Sequence, residues 1–136
     1  MADTVEFELV SPERLLMSEP VEMVVVPGVE GDFGVLPGHS LLISAVRPGV
    51  IAIHEGGQVR DRIYVGGGFA QVSPDRCTVL AEEAVMVGDI APGDAEARLN
   101  AARQALAKAR ESEGGDLAAA EKELTAAEAM LAAVKS

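Results

Sequence analysis

Tryptophan is absent from this 136-residue sequence, and aromatic residues make up only 3% of it. The core must therefore be built from aliphatic side chains, and the aromatic platforms on which single-stranded nucleic acids stack are poorly supplied. Basic residues are also scarce: 11 Lys and Arg stand against 22 Asp and Glu, which gives a formal charge of -11 at pH 7. Because such a surface repels phosphate backbones, nucleic acid is not expected as a partner.

Long apolar runs are missing as well. The longest fully apolar run in the first half, from Met23 to Val26, ends at Pro27 and falls far short of the roughly 20 residues that a membrane helix needs. The opening MADTVEFELV carries acids where a signal peptide carries Lys and Arg. We therefore expect no direct membrane insertion, and a chain that stays in the compartment where it is made.

Cysteine occurs once, as Cys77 in the alternating run RCTVLA. A single cysteine excludes a disulfide framework within the chain. The alternation predicts that Cys77 is a buried structural thiol rather than a reactive one.

The composition changes near residue 90. Residues 1–90 contain 11 of the 14 glycines and six of the seven prolines, whereas residues 91–136 contain 16 alanines against six before them. Glycine and proline punctuate short strands, and alanine favours helices. We therefore predict an N-terminal β domain at 1–90 and a C-terminal two-helix hairpin at 91–136.

Short β-branched or alternating segments recur through residues 1–90, as in TVEFELV, VEMVVV, LLISAV, VIAIH and RCTVLA. About eight to ten short antiparallel strands are expected at this spacing, which leaves no room for crossover helices. The fold predicted for this half is a β-sandwich or flattened barrel. Gly66, Gly67 and Gly68 interrupt one strand and suggest a bulge or a close backbone approach.

Two helices are predicted in residues 91–136, the first capped by Asp94 and the second by Asp116. Leucine alternates with alanine along one stripe of each helix, which favours a closely packed antiparallel hairpin. The predicted stripes are Ala95, Leu99, Ala102, Leu106 and Ala109 on the first helix, and Leu117, Ala120, Leu124, Ala127, Leu131 and Val134 on the second.

Residues with catalytic chemistry are few. The two histidines, His39 and His54, have no second ligand at metal spacing, and no nucleophile elbow surrounds Ser40 or Ser44. The adjacent Glu82 and Glu83 point to opposite faces of a strand and are better explained as a solvated rim. We expect neither a metal site nor catalytic residues.

The segment at 28–49 contains five glycines and two prolines, which demand several special backbone conformations. One interpretation is that it only closes the end of a sandwich. The other is a rigid recognition edge on which Glu30, Gly31, Asp32 and Phe33 protrude, with His39 at the start of the neighbouring strand.

Six features in order make the whole chain resemble the epsilon subunits of F-type ATP synthases, called delta in mitochondria. They are FELVSPERLLMSEPVEMVVVPG, EGDFGVLPGH at 30–39, RPG at 47–49, YVGGGFAQV at 64–72, VLAEEA at 79–84 and the alanine-rich end. The resemblance implies a β-sandwich followed by a helical hairpin. It also implies a non-catalytic part of the rotating central stalk, which couples proton flow through the c ring to ATP synthesis.

The resemblance assigns roles to particular residues. Glu30, Gly31, Asp32 and Phe33 would face the polar loops of the c ring, and His39 with the preceding Pro37 and Gly38 would contact the gamma subunit. An acidic turn is complementary in charge to basic loops. Charges at the rim of such a contact set the register of the two partners more than their affinity. The expected location is the cytoplasmic face of the bacterial inner membrane, held there peripherally through the complex.

Bacterial members of the family can extend the hairpin towards the alpha and beta subunits of the catalytic head and block hydrolysis, and some bind ATP. The ATP pattern Ile/Leu-Asp-x-x-Arg-Ala is only partly matched, since aligning Arg98 puts Ala95 at the Asp position and Leu99 at the Ala position. The second helix has Lys122 and Lys135 but no arginine. No cofactor is expected. Two interpretations stay open: a weak ATP site at Asp94 and Arg98, and a hairpin that stays folded and only braces the rotor.

A different class of function is the alternative: a small ligand-binding or hydrolytic β-sandwich with a helical appendage. Such a protein would gather aromatic or polar side chains in a cavity. The four aromatic residues available for this are Phe7, Phe33, Tyr64 and Phe69.

Overall fold

The computed structural model describes residues 4–112 and 114–136. Eight strands come first, followed by a single 3-10 turn and two α-helices, and their bounds are as follows. The strands are β1 (Val5–Val10), β2 (Leu15–Val21), β3 (Met23–Gly28), β4 (Gly31–Val35), β5 (Leu42–Glu55), β6 (Gln58–Val72), β7 (Arg76–Ala81) and β8 (Ala84–Met86). The turn covers Val87–Asp89, and the helices are α1 (Pro92–Glu111) and α2 (Leu117–Lys135).

The strands follow the predicted alternation. In β1, Val5, Phe7 and Leu9 are buried and the residues between them are partly exposed. In β7, Cys77, Val79 and Ala81 are buried in the same manner. A strand whose side chains alternate in this way has one face on a core and the other towards solvent.

One sheet connects all eight strands, in the order β2-β1-β7-β6-β5-β3-β4, with β8 paired to β6. The sheet is not closed among the described residues, because β2 and β4 form its two ends. The pairs are antiparallel except for β1 with β7, which run parallel. The prediction of a wholly antiparallel sheet missed this pair. It assumed that parallel strands need a crossover helix, whereas β1 and β7 are connected in the chain by the strands β2 to β6.

β5 and β6 form a long hairpin, with 14 and 15 residues. The sequence reads as several short strands here, since Pro48 and the three glycines look like breaks. Both lie within continuous pairing: Pro48, which has no N–H to donate, is opposite Gly66. The Gly66 N–H donates instead to the Glu83 carbonyl at 2.9 Å on the opposite side of β6.

A single aliphatic core holds the sheet together. Buried residues from β1 to β7 form one cluster, so the sheet folds over and encloses its own inner face. This is the predicted β-sandwich. Cys77 belongs to the core, and burial raises the pKa of its thiol to about 12, which confirms the prediction of a buried structural cysteine.

The helices begin in different ways. α2 is capped as predicted, with the Asp116 Oδ1 accepting from the Ala119 N–H at 3.0 Å. α1 is not capped by Asp94: its N-cap is Ala91, which makes no side-chain hydrogen bond, and Pro92 begins the helix. Proline suits the first helical position because its missing N–H would have no partner there. Asp94 lies in the first turn, where its charge favours the helix dipole.

The two helices run as a hairpin in which the stripe predicted for α1 is largely correct, since Ala95, Leu99, Ala102 and Leu106 are buried. The stripe predicted for α2 is confirmed in its middle: Ala127 is buried in one cluster with Leu99 and Ala102 of α1, and Leu124 and Leu131 pack against that cluster. The buried residues of α2 are Ala126, Ala127, Met130 and Ala133, whereas Leu117 is exposed. Leucine and alanine therefore alternate along the contact between the helices, as predicted, and the prediction fails only at the exposed Leu117.

The chain divides into two compact units between Met86 and Val87, so the 3-10 turn groups with the helices. The domain limits of 1–90 and 91–136 stay a prediction.

Candidate functional site

The acidic turn connects β3 to β4. Gly28 pairs with Gly31, so Val29 and Glu30 form a two-residue connection, and Gly31 has a positive φ of 136°. Glu30, Gly31 and Asp32 are exposed. Phe33 differs from the expectation of a protruding residue, because it is only partly exposed and packs against the core. The alternation of β4 turns it inward.

Arg47 anchors this turn. Its Nη1 donates to the Gly28 carbonyl and its Nη2 to Asp32 Oδ1, each at 2.5 Å. The sequence shows Arg47 only as part of RPG at 47–49 and does not show what it binds. The pairing of Gly28 with Val46 is what places the guanidinium beside the turn.

The segment at 37–39 lies at the other end of β4. The Gly38 N–H donates to the Pro74 carbonyl at 2.6 Å, and the His39 N–H donates to the Leu36 carbonyl at 3.2 Å. Gly38 has a positive φ of 85°, which favours glycine. At about 3.3 Å per residue, β4 separates this segment from the acidic turn by roughly 13 Å. The structure therefore does not join the two predicted contact regions into one site.

His39 is not part of a catalytic pair. Its Nδ1 lies 2.6 Å from the Ser40 carbonyl, and the Ser44 hydroxyl donates to the Ala45 carbonyl at 3.0 Å. Neither serine hydroxyl is bonded to the imidazole, so nothing in this arrangement activates a nucleophile.

An exposed apolar row, which sequence reasoning missed, crosses the outer face of the sheet. Its members are Leu41 (80% exposed), which immediately precedes β5, Ile43 (74%) on β5, Phe69 (60%) on β6 and Leu80 (54%) on β7. Phe69 is paired with Ala45 on one side and with Leu80 on the other, and Leu80 is paired with Val10 of β1. We call Leu41, Ile43, Phe69 and Leu80 the apolar face.

Strand pairing brings part of the apolar face together: Phe69 is opposite Leu80, and Ile43 is opposite Gln71, which lies two residues from Phe69 on the same face of β6. Contiguous apolar patches on a protein surface mark sites where other molecules bind. The alternation of the segment FAQV shows that Phe69 and Ala70 lie on opposite faces of the strand, but it does not show which of them is exposed. Which of the two faces the core is decided by the sheet: Ala70 is buried.

Arg98 is bonded to the opposite helix of the hairpin. Its Nε and Nη2 donate to the two carboxylate oxygens of Glu123 at 2.9 and 3.0 Å, and its Nη1 lies 3.7 Å from Met130 Sδ. The hydrogen bond from Arg98 lowers the pKa of Glu123, with burial opposing it. Asp94, one turn earlier on α1, is exposed. The structure thus commits one member of the predicted weak ATP site to a carboxylate of the protein.

The four aromatic side chains do not gather in a cavity. Phe7 and Tyr64 are fully buried, Phe33 packs on the core and Phe69 lies on the apolar face. Within residues 4–112 and 114–136, no group of three or more His, Cys, Asp and Glu residues could hold a metal ion. Neither of the described helices is long and apolar enough to cross a membrane.

Known proteins share both the sequence and the fold. The family model described as ATP synthase, Delta/Epsilon chain, beta-sandwich domain, matches residues 4–87. The ATP synthase epsilon chain of Rhodospirillum rubrum is 57% identical over 136 residues, which is 99% of each chain. The ATP synthase epsilon chain of Paramagnetospirillum magneticum is 54% identical over 98% of this chain and 99% of its own.

Two solved assemblies contain chains of similar structure. A chain of the Euglena gracilis mitochondrial ATP synthase, solved as OSCP/F1/c-ring, matches with a TM-score of 0.82 at 26% identity, over 98% of this chain and 83% of that one. A chain of the Tetrahymena thermophila central stalk/c-ring shares the fold, with a TM-score of 0.60 at 13% identity. By its β-sandwich, its helical hairpin and its full-length similarity to named relatives, the chain belongs to the family of ATP synthase epsilon chains.

Proposed function

We propose that this chain works as a non-catalytic subunit of the rotating central stalk of an ATP synthase, between the proton-carrying c ring and the catalytic head. The observation that carries the proposal is the arrangement of the sandwich. One compact unit presents an acidic turn at one end of β4, and a glycine-containing segment at the other end leads into an apolar face. A coupling subunit needs two such separate surfaces, because it must hold two partners at once.

The acidic turn is the proposed contact with the c ring. Glu30 and Asp32 are exposed on a two-residue connection whose strands are paired up to Gly28 and Gly31. A short, well-held turn keeps its charges in a fixed place, which suits register with basic loops on a ring. Phe33 contributes from below, since it packs on the core and supports the turn.

The gamma subunit is the proposed partner of Pro37, Gly38 and His39, together with the apolar face. Leu41 and Ile43 follow His39 directly along the chain, so the segment and the face are continuous. Lasting interfaces between subunits are built on apolar centres with polar rims. In this arrangement Phe69 is the central anchor, because an aromatic side chain contributes the largest buried area.

The hairpin is the proposed regulatory part, with the alpha and beta subunits of the head as its partners. The carboxylate that binds Arg98 competes with any phosphate for the same guanidinium, so ATP binding at Asp94 and Arg98 requires Arg98 to leave Glu123. A hairpin that stays closed and braces the rotor is consistent with this contact. For the whole subunit we propose the cytoplasmic face of a bacterial inner membrane, where it is held through the complex.

The test is co-elution of the purified chain with a gamma-containing subcomplex. Phe69→Asp places a charge in the centre of the apolar face and should reduce co-elution at least tenfold, and His39→Ala should weaken it to a smaller degree. Val59→Asp is the matched control, since Val59 is another exposed apolar residue of β6 (48% exposed) but lies outside the face.

Both acid variants should remain folded, because each replaces a side chain already in contact with water. Retained binding by Phe69→Asp, or equal loss by Val59→Asp, would refute the proposed gamma surface. Failure of the unchanged chain to bind would remove the stalk assignment itself.

A further inference from the structure

The two flanks of the acidic turn are joined by one side chain. The Arg47 guanidinium donates to the backbone carbonyl of Gly28, the last residue of β3, and to the carboxylate of Asp32 on β4, each at 2.5 Å. A planar guanidinium has several N–H groups in fixed directions, so it can hold two acceptors in one geometry. Arg47 therefore fixes the distance between the ends of the turn.

The backbone leaves this end of β3 in need of such a support. Pro27 has no N–H to donate, and the pairing of β3 with β5 is irregular between Val25 and Gly28. Beyond the irregularity, the Val29 N–H donates to the Ala45 carbonyl at 3.0 Å. The Arg47 side chain lies beside this contact and adds a second connection from β5 to the turn.

The two carboxylates of the turn differ in their partners. Asp32 is paired with Arg47. Glu30 is exposed and makes no hydrogen bond or ion pair with the described part of the chain. The charge of Asp32 is thus largely compensated by Arg47 of β5, whereas the charge of Glu30 is available to a binding partner.

We propose that Arg47 is a positioning residue for the ring contact: it holds the turn through Gly28 and Asp32, and it leaves Glu30 as the carboxylate that meets a basic group on the ring. This inference depends on the proposed function of the turn. It gives different roles to two acids that only Gly31 separates in the sequence: Asp32 holds the turn, and Glu30 contacts the partner.

The experiment measures the affinity of a stalk subcomplex, containing each variant of this chain, for the isolated c ring. Glu30→Gln and Arg47→Gln should each weaken binding at least fivefold, and Asp32→Asn by about twofold. Arg47→Lys keeps the charge without the forked geometry and should restore only part of the loss. Arg60→Gln is the matched control, since Arg60 also binds carboxylates, Glu55 and Asp61 at 2.7 Å, but lies away from the turn. It should bind the ring as the unchanged chain does.

A second measurement distinguishes positioning from direct contact. Amide hydrogen exchange in the turn of the free chain should accelerate at least tenfold in Arg47→Gln and stay unchanged in Glu30→Gln. Binding to the gamma-containing subcomplex should be the same for every variant.

Two results have different meanings. If Asp32→Asn weakens ring binding more than Glu30→Gln does, or if Arg47→Gln leaves both ring binding and exchange unchanged, the division of roles is wrong while the ring contact stands. If none of the three turn variants affects ring binding, the turn does not face the ring, and the proposed function of the turn fails with the inference.

Discussion

Gly68→Ala is the substitution for which the structure predicts the largest cost. Gly68 has a positive φ of 144°, and a Cβ added there would lie 2.0 Å from the Leu80 carbonyl oxygen and 3.0 Å from Ala81 Cα. These atoms belong to the backbone of β7, the strand paired with Gly68. They cannot turn away as the end of a flexible side chain can.

The magnitude follows from two contributions. A non-glycine residue held at such a φ costs about 1–3 kcal/mol. Relief of the contact also requires β6 and β7 to separate by about an ångström, which takes neighbouring hydrogen bonds beyond their ordinary range of about 3 Å. One of these is the bond from the Glu82 N–H to the Gly67 carbonyl, now 2.9 Å long. Each lost bond contributes about 1 kcal/mol, so the free energy of unfolding should fall by about 3 kcal/mol or more.

Tyrosine fluorescence during urea unfolding measures this loss in the sandwich alone. Tyr64 is the single tyrosine of a chain without tryptophan, and it is fully buried in the same strand. Gly34→Ala is the control within the sandwich, because its Cβ would meet only Met23 Sδ, at an ordinary 3.6 Å, and its φ is ordinary. The control should change the unfolding free energy by less than about 0.5 kcal/mol. A loss below about 1 kcal/mol in Gly68→Ala would refute the reasoning from backbone approach.

Three further outcomes are expected. Glu123→Gln removes the acceptor for Arg98, whose hydrogen bond holds the pKa of Glu123 below its ordinary value of 4.5. A lowered folded-state pKa stabilises the fold above the unfolded value and ceases to do so as pH falls. Unfolding followed by helical circular dichroism should therefore show that Glu123→Gln lowers the free energy of unfolding by about 0.5 kcal/mol at a pH above 4.5 and leaves it unchanged well below that pH. An equal loss at the two pH values would contradict the pairing. Cys77, whose pKa is raised to about 12 by burial, should react with a thiol reagent only after unfolding, and rapid labelling of the native chain would contradict its burial. Truncation after residue 90 should change ATP hydrolysis by the complex less than about twofold, because the hairpin is closed on itself through Arg98; a several-fold activation would show that the hairpin inhibits.

Much of the architecture was predictable from local patterns. The alternation of β1 and β7 and the Asp116 cap each depend on residues close together in the chain, and both were confirmed. The glycines at 66–68 were correctly interpreted as a close approach, which the contact between Gly68 and Leu80 explains. The predictions failed where the conformation of a residue depends on the strand paired with it. Pro48 looked like a break, although Gly66 opposite it lets β5 and β6 continue.

The sequence by itself determined the order of the elements, the aliphatic character of the core, the acidic surface and the presence of a glycine-rich turn carrying Glu30 and Asp32. Only the tertiary structure decided that Arg47 joins Gly28 to Asp32, that Arg98 binds Glu123, and that exposed apolar residues of β5, β6 and β7 share one outer face. The physical reason is that propensity and periodicity act over a few residues, whereas strand pairing and side-chain hydrogen bonds connect residues that are distant in the chain. Pairing chooses which face of each strand is buried, and that choice creates the surfaces that remain for partners.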